Sequence, residues 1–99
     1  MNQLNTYLKD INKLCRQHQV KKLYVFGSAL TNNFNENSDV DLIVEFNTLA
    51  VEEYADNYFD FKFSLQNIVK RPIDLLEEKE LKNPYFKNAV IKDRALIYG

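Results

Sequence analysis

Apolar positions recur at spacings of three and four along the first part of the chain, at Leu4, Leu8, Ile11, Leu14 and Cys15. Lys9, Asp10, Asn12, Lys13 and Arg16 fill the opposite side, so the spacing predicts an amphipathic helix over residues 2–18. His18 falls near its end, where a histidine suits the negative end of the helix dipole. The period then changes from 3.6 to two. Residues 21–26 (KKLYVF) set Leu23 and Val25 against Tyr24 and Phe26, the pattern of a strand covered on both faces or central in its sheet. A polar, Asn-rich stretch over residues 31–38 reads as a loop, and residues 39–46 (DVDLIVEF) as a second strand. From about residue 50 to 69 a long helix is expected. Val51, Tyr54, Ala55, Tyr58, Phe59, Lys62, Leu65, Ile68 and Val69 trace its broad stripe. Phe61 and Phe63 fall outside that stripe, either as aromatics for a partner to cover or as a second buried side. Pro72 opens a third strand, in which Asp74 interrupts Ile73, Leu75 and Leu76. Asn83-Pro84 reads as the cap and first turn of a final helix, and residues 95–98 as a terminal strand or docked tail.

The chemistry concentrates between the first two strands, in GSALTNNFNENSDVD, residues 27–41. Asp39 and Asp41 are two apart, so on a strand they share a face while Val40 and Leu42 take the other. Their Cα atoms are then roughly 6–7 Å apart, close enough for both carboxylates to converge on one Mg²⁺ or a pair of metals. Gly27 provides a turn without a Cβ, which lets backbone amides approach an anion, and Ser28 adds a hydroxyl. The chain has only two glycines, Gly27 and Gly99, which excludes both the dinucleotide fingerprint and the P-loop. If the third strand lies beside the second, Asp74 can join the same acidic face. Three carboxylates on one patch repel one another unless cations are present.

Composition narrows the class. Ninety-nine residues with 45% hydrophobic and 27% charged side chains predict one soluble globular domain spanning residues 1–99. The formal net charge is −1 and no Lys/Arg stripe is present, so direct nucleic-acid binding is not expected. Cys15 is the single cysteine, which excludes an internal disulfide and a zinc cluster. Neither a signal peptide nor an apolar run of spanning length is apparent, so a cytoplasmic protein with no membrane partner is expected.

The pattern Gly27-Ser28, ten residues, Asp39-x-Asp41 resembles the signature of the DNA polymerase beta-type nucleotidyltransferases. Within them the chain looks like the minimal nucleotidyltransferases, the antitoxin-like partners of HEPN proteins. Residues 71–76 (RPIDLL) and 82–99 (KNPYFKNAVIKDRALIYG) continue the likeness, and Asp74 matches the third acid. The resemblance implies an α/β (α+β) fold, with a small mixed sheet and helices packed on one side. It also implies transfer of AMP from ATP. Asp39 and Asp41 would hold two Mg²⁺ ions, Asp74 would complete the site beside the acceptor hydroxyl, and Gly27 and Ser28 would hold the β- and γ-phosphates. One departure stands out. Many relatives carry a basic residue just after the Gly-Ser pair, whereas residues 29–38 contain no Lys or Arg. Phosphate charge then falls to metal, backbone amides or a basic group elsewhere.

Larger members bring a separate domain to bind the acceptor, for which 99 residues leave no room. The resemblance implies an acceptor tyrosine on a cognate HEPN toxin, as a toxin–antitoxin pair in a hetero-oligomer, with a homo-oligomer also left open. Two alternatives remain. One is a binding module that masks its partner without catalysis. The other is transfer of a nucleotide to a small molecule such as an aminoglycoside.

Overall fold

The computed structural model describes residues 7–26, 40–81, 84, 85, 88 and 94–99. Helix α1 (Leu8–Gln17) leads into strand β1 (Val20–Phe26), followed by β2 (Val40–Phe46), helix α2 (Val51–Val69), β3 (Ile73–Glu77) and β4 (Ala95–Tyr98). A short 3₁₀ turn, Glu78–Glu80, follows β3. The strands form one sheet in the order β3-β2-β1-β4. β1 runs antiparallel to both its neighbours, and β2 and β3 are parallel. The sheet is therefore mixed and the fold is α+β.

Alternation along the strands divides the sheet into two faces. Leu23 and Val25 of β1, Val40, Leu42 and Val44 of β2, and Ile73 and Leu75 of β3 are buried in the main core. Ile11, Leu14 and Cys15 of α1 and Phe61, Leu65 and Val69 of α2 complete that core, so both helices cover this one face. The other face holds a smaller cluster around Ile43 and Leu81, with Tyr24, Phe26 and Leu76 packed against it. This explains why β1 is apolar on both sides: it is a central strand covered from each direction. The tail forms an edge strand, and Gly99 closes against β1 with φ +98. A Cβ there would lie 2.5 Å from the Lys21 carbonyl oxygen, so glycine is needed for the close approach.

Tyr58, Leu65, Ile68 and Val69 of the expected α2 stripe lie in or against the core, and the differences from it are few. Phe61 is fully buried at the centre of the core, while Val51, Ala55 and Phe59 face outward. Phe59 and Phe63 are about half exposed and stack on each other with centroids 6.1 Å apart. The buried line is Phe61, Leu65 and Val69, a spacing of four that follows the helix across the sheet. Of the expected final helix, Pro84, Tyr85 and Asn88 carry helical backbone, and the rest of it lies outside the described residues.

His18 does more than end its helix. Its Nδ1 is 2.9 Å from the Leu14 carbonyl and its Nε2 is 2.6 Å from Oδ2 of Asp60, on α2. Asn57 donates to the His18 carbonyl at 2.8 Å. The end of α1 is thus fastened to the middle of α2 by side chains that no local pattern connects.

Cys15 lies fully buried on the core side of α1. Burial pushes its thiol up from 9.0 to about 12, against a smaller opposing pull from the Arg16 charge. Between those values the native state keeps a proton that the unfolded chain has lost. Stability should therefore fall as pH rises above 9, by at most about 1.4 kcal/mol per pH unit from this group. Urea midpoints at pH 8 and pH 10 should diverge less in Cys15→Ala than in the parent chain. Iodoacetamide should label Cys15 at pH 8 only after denaturant is added. Rapid labelling of the native chain would contradict the burial.

Candidate functional site

The acidic face is built where β2 and β3 begin. Their parallel ladder pairs Val40 with Ile73, Asp41 with Asp74, and Leu42 with Leu75. The Val40 amide donates to the Pro72 carbonyl at 3.0 Å, so the pairing reaches the first residues of both strands. Asp41 and Asp74 are therefore cross-strand neighbours, on strands spaced about 4.8 Å apart. Because Val40, Leu42, Ile73 and Leu75 point into the core beneath α1 and α2, Asp41 and Asp74 point to the opposite face of the sheet. Asp74 is exposed and Asp41 half-buried. On the other side of Asp41, the antiparallel ladder pairs it with Phe26, the last residue of β1. Gly27 and Ser28 follow Phe26 directly in the chain.

Gly27, Ser28 and Asp39 lie outside the described residues. Of the three acids anticipated from the sequence, the structure brings Asp41 and Asp74 together. Among the described residues, no group of three His, Cys, Asp or Glu side chains is arranged to hold a metal. The paired carboxylates are hard oxygen donors of the kind Mg²⁺ takes, and Mg²⁺ commonly uses only one or two of them with phosphate oxygens. The donor set on this face thus fits the ion.

Other side chains hold β3 in place, and the sequence did not single them out for that task. The Tyr58 hydroxyl donates to the Leu75 carbonyl. Gln66 Oε1 accepts from the Ile73 amide at 3.3 Å. Both reach down from α2 and tie the residues on either side of Asp74. Arg94 lies on that opposite face, its guanidinium 3.7 Å from the Tyr24 ring centroid and bonded to Glu78 at 2.9 Å. It is a basic group on the acids' own side of the sheet, remote in sequence from Ser28. A groove of about 760 Å³ opens at the opposite ends of β2 and β3, against Val44, Phe46, Tyr54 and Glu77, away from the acids.

Comparison with known proteins gives consistent results. Residues 8–97 match the model of the nucleotidyltransferase domain family. A candidate protein adenylyltransferase of Methanocaldococcus jannaschii is 30% identical over 99 residues, covering 92% of this chain and 96% of that protein. Among solved structures, a candidate minimal nucleotidyltransferase superposes with a TM-score of 0.77 at 24% identity, over 93% of this chain and 90% of the other. A toxin–antitoxin complex with AMP-PNP gives 0.71 at 21% identity, over 93% and 73%. A complex of a tri-AMPylated Shewanella oneidensis HEPN toxin with its MNT antitoxin gives 0.65 at 22% identity, over 100% and 73%. At these identities the solved structures establish a shared fold.

Proposed function

Because this chain belongs to the nucleotidyltransferase domain family, we propose that it is the antitoxin of a toxin–antitoxin pair and transfers AMP from ATP to a tyrosine hydroxyl of a HEPN-type toxin. The in-register pairing of Asp41 with Asp74 on the sheet face opposite α1 and α2 carries this reading. It is supported by the candidate adenylyltransferase relative and by the AMPylated toxin in a complex that shares the fold.

Within this reading, Asp41, Asp74 and Asp39 would hold Mg²⁺. When bound, the ion lowers the pKa of a hydroxyl beside it and offsets phosphate charge. The protein's own task is placement. Asp74, exposed at the outer edge of the acidic pair, is open to an incoming hydroxyl and would accept its proton. The acceptor oxygen attacks the α-phosphorus, a new P–O bond forms, and the bond to pyrophosphate breaks. Gly27 and Ser28 would bind the β- and γ-phosphates that leave. Tyr58 and Gln66 keep β3 fixed against α2, so the separation of the two acids is set by the ladder rather than by side-chain motion. Residues 1–99 would act as one domain, with the acceptor supplied by the partner.

The partner would contact the stacked Phe59 and Phe63, apolar rings left half exposed on the outer side of α2. Co-expression with the helical protein of the neighbouring open reading frame, in the presence of ATP and Mg²⁺, tests the proposal. Mass spectrometry should show AMP-sized additions on a partner tyrosine, absent with Asp41→Asn. Full neutralisation of the toxin by that variant, with no modification, would replace catalysis with simple masking.

A further inference from the structure

We propose that the outer surface of the helical layer binds a second copy of this chain, with the basic side of α1 in each copy laid over the acidic and aromatic side of α2 in the other. The inference does not rest on the nucleotidyl-transfer reading.

Each helix buries one side and shows a distinct stripe on the opposite one. In α1, Ile11, Leu14 and Cys15 are buried, and Lys9, Lys13 and Arg16 are exposed. The three cations are spaced by four and three, which puts them on one stripe roughly 60° wide. Asp10, the acid of this helix, is turned about 100° from Lys9 and falls outside it. In α2, Phe61, Leu65 and Val69 are buried, and Glu52, Asp56, Phe59 and Phe63 are exposed. Their spacing of four, three and four gives a second narrow stripe, acidic at its start and aromatic at its end. Lys62, the cation of this helix, lies to its side and is half-buried. Among the described residues, none of these five stripe charges has an ion-pair partner within the chain.

The chain therefore carries both halves of a match. Both helices cover the same sheet face, so the two stripes lie on one surface of the molecule. The helices are neighbours there, joined by His18 and Asp60. A two-fold axis running between them in the plane of contact sets each α1 over the α2 of the other copy. Such a contact is isologous, so the basic stripe meets the acidic one twice. Laying α1 on α1 and α2 on α2 would oppose like charges, and the charge pattern selects against it. The stacked rings of Phe59 and Phe63, about half exposed, supply the apolar part. Lysine and arginine suit this surface because their alkyl stems cover aromatic carbon while their charges lie over a ring face or reach a carboxylate. The partner assigned above to the same two rings would then bind by displacing the second copy.

Sedimentation equilibrium of the full chain, without nucleotide or partner, tests the proposal. A dimer is expected at low ionic strength, weakened about tenfold or more in high salt as the charge pairs are screened. Lys9→Glu/Lys13→Glu and Glu52→Lys/Asp56→Lys each oppose like charges across the contact, so each variant alone should be monomeric. Mixing the two restores both matches and should restore the dimer. All four side chains are exposed, so circular dichroism melts of both variants should show a folded chain. A parent chain that is monomeric at low salt, or a mixture of folded variants that stays monomeric, would overturn the assignment. A dimer indifferent to salt would do the same, which gives a reading even if a reversed variant fails to fold.

Discussion

Replacing both Asp41 and Asp74 by asparagine is expected to lower nucleotidyl transfer by roughly a thousandfold or more, equivalent to about 4 kcal/mol of transition-state stabilisation, while leaving the fold intact. The two carboxylates are paired across a parallel ladder and point away from the helix-covered core. Asparagine keeps their shape and removes both charges. The ladder bonds around them belong to the backbone, including the contact from the Val40 amide to the Pro72 carbonyl. A cooperative melting transition should therefore persist in the double variant. Mass-spectrometric assay of transfer and circular dichroism melting test both halves. Retained transfer would remove the acids from the reaction. A lost folding transition would make them structural.

The candidate site was legible in the sequence as far as local rules reach. Strand periodicity places Val40 and Leu42 opposite Asp41, and the structure has them in the core. It could not show that β3 lies beside β2, because that pairing joins residues 33 positions apart, as Asp41 and Asp74 are by number. A carboxylate inside an apolar strand at Asp74 was the available signal. The clamp of His18 on Asp60 spans 42 positions and left no pattern to read. Gly27, Ser28 and Asp39 rest on the motif and the family, since they fall outside the described residues.

The misplacement of Phe61 on α2 has a different reason. Tyr54, Tyr58, Phe59, Phe61, Phe63 and Leu65 surround the helix on several sides, so apolar periodicity alone does not select a buried line. Tertiary packing selects it. Phe61 is gripped by Phe46 at 5.9 Å and by the His18 ring at 5.6 Å, groups from β2 and the end of α1. The ring therefore sits where the sheet and both helices meet.

Phe61→Ala should accordingly be the most damaging single core change, costing about 3–5 kcal/mol. A domain of this size is stable by only about 5–15 kcal/mol, so the variant should be largely unfolded or melt more than about 15 °C lower. Phe59→Ala and Phe63→Ala remove rings that are half exposed, and each should cost less than about 1 kcal/mol. The two pairs of measurements separate stability from recognition. Urea denaturation reads the first, and affinity for the helical partner reads the second, where truncation of an aromatic anchor typically weakens binding by about 2 kcal/mol or more. Phe61→Ala should therefore lose folding, while the Phe59→Ala/Phe63→Ala double variant should fold and bind poorly. A mild Phe61→Ala together with a severe Phe59→Ala would mean that α2 buries the opposite side. A double variant that folds and binds at full strength would take the outer face of α2 out of the partner interface.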